Sequence, residues 1–287
     1  MTDHQKNSTK NTYFLDPGSP AELARLINQA NMVAHTMQWL FPPGVEHSGF
    51  RAVLDIACGP GNWVLDVAFH HPDIEAVGID LSDQMISYAR ARARSQRLSN
   101  AIFAHGDATG MLYDEAAAFD FVNARFLVGF MQPHQWPALL AECLRILRPG
   151  GILCLTEGEW ALTNSTAYQH YSRLISQSLK NAGQSFSSDG HDLAITPMLG
   201  KLMREAGFRQ PGLQAHTLDV SYEQEGYIGW LEDCRVLFKL SMPFIRACLP
   251  VTQEELDALY TRVLIEMQQE TFCGIGFSLS VWGAKPA

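Results

Sequence analysis

From residue 51 to residue 157, short apolar runs alternate with segments whose apolar positions recur every three or four residues. The runs at 51–56, 74–80, 101–107, 119–124 and 152–157 have strand length and are rich in Val, Ile, Leu and Phe, as strands covered on both faces require. Between them the spacing predicts a helix at about 62–70 and one capped by Ser82 that runs through Met85, Ile86, Ala89 and Ala93. A third at about Gln135–Leu147 stops at Arg148-Pro149-Gly150-Gly151. Such alternation implies right-handed crossovers and a parallel sheet with helices on both faces. Ligands in that architecture bind outside the carboxyl ends of the strands, where the strand order reverses.

Upstream, residues 1–12 are polar and expected to be mobile. Tyr13-Phe14-Leu15 and the turn Asp16-Pro17-Gly18-Ser19-Pro20 lead into a helix with the stripe Leu23, Leu26, Ile27, Ala30, Val33, Ala34 and Met37. Ser19 is the expected N-cap, with Pro20 first and Glu22 third, and the helix should end near Leu40. Downstream, helices are expected at 165–182 and 191–206, a strand at about 210–219, helices at 224–248 and 252–270, and an alternating strand from Phe272 to Lys285. The chain thus divides into an N-terminal helical lid (1–45), a core (46–160) and a remainder (161–287). The remainder supplies two more strands of a seven-stranded, mainly parallel α/β sheet and a helical cap at about 222–270.

Charge and cysteine content narrow the setting. A net charge of -9 over 287 residues argues against a nucleic-acid partner, and Arg90, Arg92, Arg94 and Arg97 are expected to form a solvated helix face. The six cysteines include no Cys-x-x-Cys pair, so neither a disulfide framework nor a zinc site is expected and a reducing cytoplasm is the simplest home. No run suggests a signal core or a membrane span, and no metal is predicted.

The candidate chemistry gathers at strand ends. Asp55 closes the first strand and is followed by Gly59-Pro60-Gly61, where glycine admits positive φ and close approach of a ligand to the backbone. Asp80 ends the second strand about 20 residues later, where a carboxylate can accept from both ribose hydroxyls, and Asp107 follows the third. Val64 stands where a dinucleotide fingerprint needs glycine or alanine, and no Gly-Lys-Ser/Thr phosphate loop exists. Asp55 would repel a pyrophosphate and suits a ligand carrying an ammonium group. A nucleoside of that kind is expected.

Val53–Gly61, Gly78–Ser82, Gly106-Asp107-Ala108, Phe119–Val122 and Leu147–Gly151 resemble, in order, the motifs of class I S-adenosylmethionine-dependent methyltransferases. The tail from Pro197 to Phe208 with its helical insert is similar to the small-molecule enzymes of natural-product pathways. The resemblance implies a Rossmann-like fold, S-adenosyl-L-methionine as cofactor, and a site assembled from matching positions. Gly59, Gly61 and Ala57, which replaces a family glycine, would line the methionine and ribose, with Asp55 near the ammonium group. Asp80 would hold the ribose, Leu81 and Met85 the adenine face, and Gly106, Asp107 and Ala108 its edge. Asn123 and Arg125 would face the methionine carboxylate or the acceptor, and Tyr13 and Gln29 would reach the methionine end from the lid. Trp63 is expected to pack rather than to touch ligand.

In-line displacement at a sulfonium depends mainly on positioning and water exclusion, with a base needed only for some acceptors. His191 is the expected base, with His134, Glu157 and Glu159 near the expected mouth. The apolar residues Trp160, Phe186, Met198, Trp230, Phe238, Met242 and Phe244 suggest a small, largely apolar metabolite methylated on O, N or C. A non-methylating cyclisation on the same cofactor, or a non-catalytic binding subunit, are the alternatives. Nucleic acid and membrane are not expected partners, and a homodimer is left open.

Overall fold

The computed structural model describes residues 13–16 and 18–287, so the polar segment 1–12 and Pro17 of the first turn lie outside the described residues. Its seven strands are β1 (Ala52–Ile56), β2 (Glu75–Asp80), β3 (Ala101–His105), β4 (Phe119–Arg125), β5 (Leu147–Thr163), β6 (Arg209–Asp219) and β7 (Gly274–Ala284). They lie in the order β3-β2-β1-β4-β5-β7-β6, with β7 antiparallel to both neighbours and every other pairing parallel. The chain fills one half of the sheet outward from β1 to β3 and then returns to β4, so strand order reverses between β1 and β4. In register there, Asp55 sits between Gly78 of β2 and Asn123 of β4.

The helices α2 (Asn62–His70), α3 (Asp83–Gln96) and α4 (Trp136–Ile146) fall where the periodicity puts them. Alternate side chains of β1 feed two cores, one holding Leu54, Ile56, Val122 and Trp136, the other Val53, Trp63, Val64 and Phe121. Trp63 is buried and donates its indole N–H to the Leu40 carbonyl at 3.0 Å. The arginine face of α3 is solvated, with Arg90, Arg94 and Arg97 exposed, while Arg90 also donates twice to the Phe103 carbonyl and the half-buried Arg92 reaches Asn62 and Pro60.

Three boundaries differ from expectation. Helix α1 (Pro20–Met37) ends three residues early, because Gln38 turns left-handed (φ 57) and donates back to the Ala34 carbonyl. Ser19 occupies its N-cap without a side-chain bond, and Glu22 is drawn away from the capping box into a buried cluster. Strand β5 runs through the Arg148–Gly151 turn and on to Thr163, since β7 offers an antiparallel partner along its length. Helix α6 (Thr196–Ala206) starts five residues after His191; the Glu159 carboxylate accepts from the amides of Leu193, Ala194 and Thr196 at 3.1 Å each and fixes the preceding loop.

The remaining helices, α5 (Thr166–Asn181), α7 (Tyr227–Cys248) and α8 (Gln253–Met267), pack against one another. Thr252 and Glu255 form the reciprocal capping box at the start of α8. Helix α1 is bound to α7. Arg25 of α1 chelates Glu22 at 2.7 and 2.8 Å and reaches Asp233 of α7 at 3.0 Å, all three being buried, while Asn28 donates to the Gly229 carbonyl. No helix among the described residues is long and apolar enough to cross a membrane.

Asp120 of β4 accepts from the amides of Arg51 and Ala52 and from Arg148, tying β1, β4 and β5 at one end. Burial alone would raise its pKa, but the two amides and the guanidinium hold it below the usual carboxylate range. Asp120→Ala should cost about 2 kcal/mol at neutral pH, as for hydrogen bonds to a charged group. A depressed carboxylate stabilises above its unfolded pKa and loses that effect as acid titrates the folded group. The gap between wild type and variant in urea denaturation should therefore close below the ordinary carboxylate range; a constant gap would contradict this role.

Candidate functional site

At the carboxyl ends of β1 to β4, beneath α1, lies a cavity of about 470 Å³. Its walls come from the loop after β1, the ends of β2 and β3, the turn after β4, β5, and helices α1, α5 and α7. The sequence-derived candidates Asp55, Ala57, Gly59, Asp80, Leu81, Met85, Gly106, Asp107, Ala108, Arg125, Tyr13 and Gln29 all line it. Gly61 and Asn123 do not. Gly61 is turned into the packing against Phe103 and Ala89, and Asn123 opens on a neighbouring cavity.

Asp55 is the electrostatic focus. It is 1 % exposed, one oxygen accepts from the Asn123 amide at 2.8 Å, and the other is buried without a partner. Burial pushes its pKa up to about 6, offset in part by the nearby Arg125 guanidinium and the Asn123 bond. Asn123 is thus a support for the carboxylate, which is why it lies behind the cavity wall. Ala57 takes φ 53, so the residue in place of a glycine still adopts the left-handed turn that carries the chain toward Gly59.

The other carboxylates are committed to backbone. Asp80 accepts from the Gly59 amide at 2.9 Å with one oxygen and from the Ser82 amide at 2.8 Å with the other. It fixes the loop, and each oxygen retains lone-pair capacity toward the cavity. Burial raises its pKa while the two amides oppose the rise. Asp107 accepts from the Thr109 amide and hydroxyl through one oxygen, closing the turn after β3. Glu157 is buried with the amides of Leu127 at 2.7 Å and Val128 at 3.4 Å, and burial pushes its pKa up to about 8.

Neither histidine expected as a base reaches the cavity. His191 is exposed in the loop before α6, its ring 3.3 Å from Asp189, and His134 is exposed in the 3-10 turn before α4. Both expectations placed a helix or turn too close to the mouth. Of the seven apolar residues expected to face a substrate, Trp160 alone lines the cavity, with its indole N–H bound to Ser176. Phe238 instead stacks on Tyr171 in the core. Sequence reasoning missed Phe14, Phe126, Phe130, Ile175, Leu179 and Leu237, which add apolar surface to the cavity wall. Phe126 directly follows a strand already flagged, and that adjacency was the available signal.

A model described as a methyltransferase domain matches residues 53–151. The chain is similar to a demethylmenaquinone methyltransferase of Deinococcus radiodurans, 32% identical over 168 residues, which cover 55% of this chain and 68% of that protein. It is also similar to a probable methyltransferase, ltbC, of Aspergillus luteorubrus, at 29% identity over 57% of this chain and 59% of the relative. Among solved structures, Haemonchus contortus phosphoethanolamine N-methyltransferase 2 with S-adenosyl-L-methionine superposes with a TM-score of 0.51 and 18% identity. That match covers 91% of this chain and 53% of that one, so the chain spans about half its length. YcgJ of Bacillus subtilis gives a TM-score of 0.51 at 15% identity, covering 91% and 99%. These two likenesses show the fold.

The two loop glycines should respond differently to a methyl group. A Cβ at Gly59 (φ 53) meets nothing within 4 Å, whereas one at Gly61 (φ 80) would lie 2.6 Å from the Phe103 ring and 2.8 Å from the Ala89 side chain. Gly59→Ala should cost only the left-handed strain, about 1–2 kcal/mol. Gly61→Ala adds overpacking of about 1–3 kcal/mol. Equal midpoints in urea denaturation would contradict the assignment of Gly61 to packing.

Proposed function

The chain belongs to the class I S-adenosylmethionine-dependent methyltransferases, and we propose that it methylates a small, largely apolar metabolite in the cavity described above. The observation that carries the reading is the unpartnered, buried oxygen of Asp55, a residue that lines the cavity together with Gly59. An uncompensated carboxylate at such depth is costly, and a ligand ammonium group is its natural complement.

The residues present fit S-adenosyl-L-methionine. Asp55 takes the ammonium group and Arg125 the carboxylate of the methionine end. Asp80 accepts from the ribose hydroxyls with the lone pairs its amide bonds leave over, and Leu81 and Met85 cover the adenine face. Asp107 and Ala108 lie at the adenine edge, and Tyr13 and Gln29 close the methionine end from α1. When bound, the cofactor supplies an electrophilic methyl group on a sulfonium. The chain's contribution is to align the acceptor and keep water away, through the apolar half formed by Phe14, Phe126, Phe130, Trp160, Leu179 and Leu237. Demethylmenaquinone, the acceptor named for the Deinococcus relative, is a small molecule of the same apolar character and supports this substrate class. All six cysteines are unpaired, four of them buried, in keeping with a reducing compartment such as the cytoplasm.

Calorimetric titration with S-adenosylhomocysteine tests the assignment: saturable binding is expected, and none at millimolar concentration would sink it. Asp80→Ala should weaken binding by about 1–3 kcal/mol. Because the ammonium group binds the ionised form of Asp55, affinity should fall as pH drops through about 6. Asp55→Asn should bind weakly at every pH with that dependence abolished; an unaltered pH profile in the variant would remove Asp55 from the role.

A further inference from the structure

We infer that Glu157 and Phe126 act as a pair that presets the acceptor chamber: the Glu157 carboxylate pins the turn after β4 so that the Phe126 ring stands as a fixed wall for a flat apolar acceptor. The inference rests on the cofactor and acceptor assignment above and adds the residues that shape its acceptor half.

Phe126 has φ 57, a left-handed conformation that costs a residue with a side chain about 1–2 kcal/mol. Such strain persists only where the surroundings hold it, and it concentrates where a side chain must be aimed. Three consecutive residues of β5 do the holding. The Thr156 carbonyl accepts from the Phe126 amide at 2.9 Å. Glu157 then accepts from the next two amides, Leu127 at 2.7 Å with one oxygen and Val128 at 3.4 Å with the other. Those amides open the single 3-10 turn Leu127–Gly129, whose own hydrogen bonding leaves them without partners. The Phe126 ring lies against Gly158: a Cβ built there would sit 3.4 Å from it, in ordinary contact.

The result lies in the cavity wall: Phe126, Val128 and Phe130 line it together with Arg125, one residue earlier, and with Trp160 of β5. Glu157 itself is buried and does not line the cavity. It is therefore a positioning residue that acts through Phe126. The ring, carried on that pinned turn, lines the cavity, and an aromatic side chain of this kind stacks on aromatic ligands.

The test compares wild type, Phe126→Gly, Glu157→Ala and the double variant. Three quantities are measured: S-adenosylhomocysteine affinity, the affinity of the resulting complex for 2-naphthol (by naphthol fluorescence), and Tm. Glycine adopts the left-handed turn freely, so Phe126→Gly should keep its Tm while 2-naphthol binding falls about tenfold. Glu157→Ala should weaken 2-naphthol binding in the same way, with S-adenosylhomocysteine affinity within about twofold of wild type in both. Since Glu157 acts through the ring, the double variant should bind 2-naphthol no more weakly than Phe126→Gly alone. Should Glu157→Ala fail to fold, Glu157→Gln, which keeps one carbonyl for the Leu127 amide, should shift naphthol affinity in the same direction by less. A wild-type complex that does not take up 2-naphthol, an unchanged affinity in Phe126→Gly, or losses that add in the double variant would each overturn the pairing. Failure of the wild type to bind S-adenosylhomocysteine is a separate result and refutes the cofactor assignment instead.

Discussion

A carboxylate sealed inside a protein must be answered by something, and Asp55 sets the terms for the structure around it. It lies between β1's two partner strands at the point where strand order reverses. Asn123 answers one oxygen, Arg125 lies close enough to oppose part of the desolvation, and the second oxygen is buried without a partner. Burial of this kind is unfavourable for the apo chain, which is why the group's pKa climbs toward neutrality. The same burial underlies the proposed preference for a cationic ligand end, since opposite charges attract more strongly in low dielectric than in water.

The remaining acidic groups shape loops. Asp80 clamps the glycine loop to β2, Asp107 closes the turn after β3, Glu157 pins the turn after β4, and Glu159 organises the loop before α6. Glu142 similarly accepts from the Leu112 amide. Each satisfies backbone donors that irregular segments leave over. A sheet whose functional rim consists of loops needs such anchors, because the loops cannot pair with one another. Polar side chains at strand ends therefore serve two ends at once: Asp80 holds the loop that a ligand would touch and keeps lone pairs directed at the same ligand.

Over this rim sits a roof of mixed origin. Helix α1 comes from the beginning of the chain and α7 from its last third, and the buried Glu22–Arg25–Asp233 cluster joins them. Tyr13 adds its hydroxyl to Glu22 at 2.5 Å while lining the cavity. Helix α1 is thereby bound to α7, and residues of both line the cavity.

The alternation of strand and helix, the identity of the sheet, the glycine loop and the acidic strand ends were all legible in the sequence. Each is a local property: period, turn chemistry and propensity act over a few residues, and ten of the twelve candidate positions that line the cavity lie between 55 and 125. What the sequence could not give were relations between distant segments. Whether Glu157 was a base or an anchor depended on the amides of Leu127 and Val128, thirty residues away. His191 missed the cavity because Glu159 holds the loop ahead of α6, and Glu22 left its expected capping box for an arginine and a distant aspartate. The apolar chamber is lined from five separate stretches of chain, so no window of sequence contains it. Periodicity determined the scaffold, and the glycine loop and acidic strand ends marked the candidate site on it; only tertiary packing decided which side chains line the cavity, because burial and hydrogen-bond partners are set by contacts that local sequence does not encode.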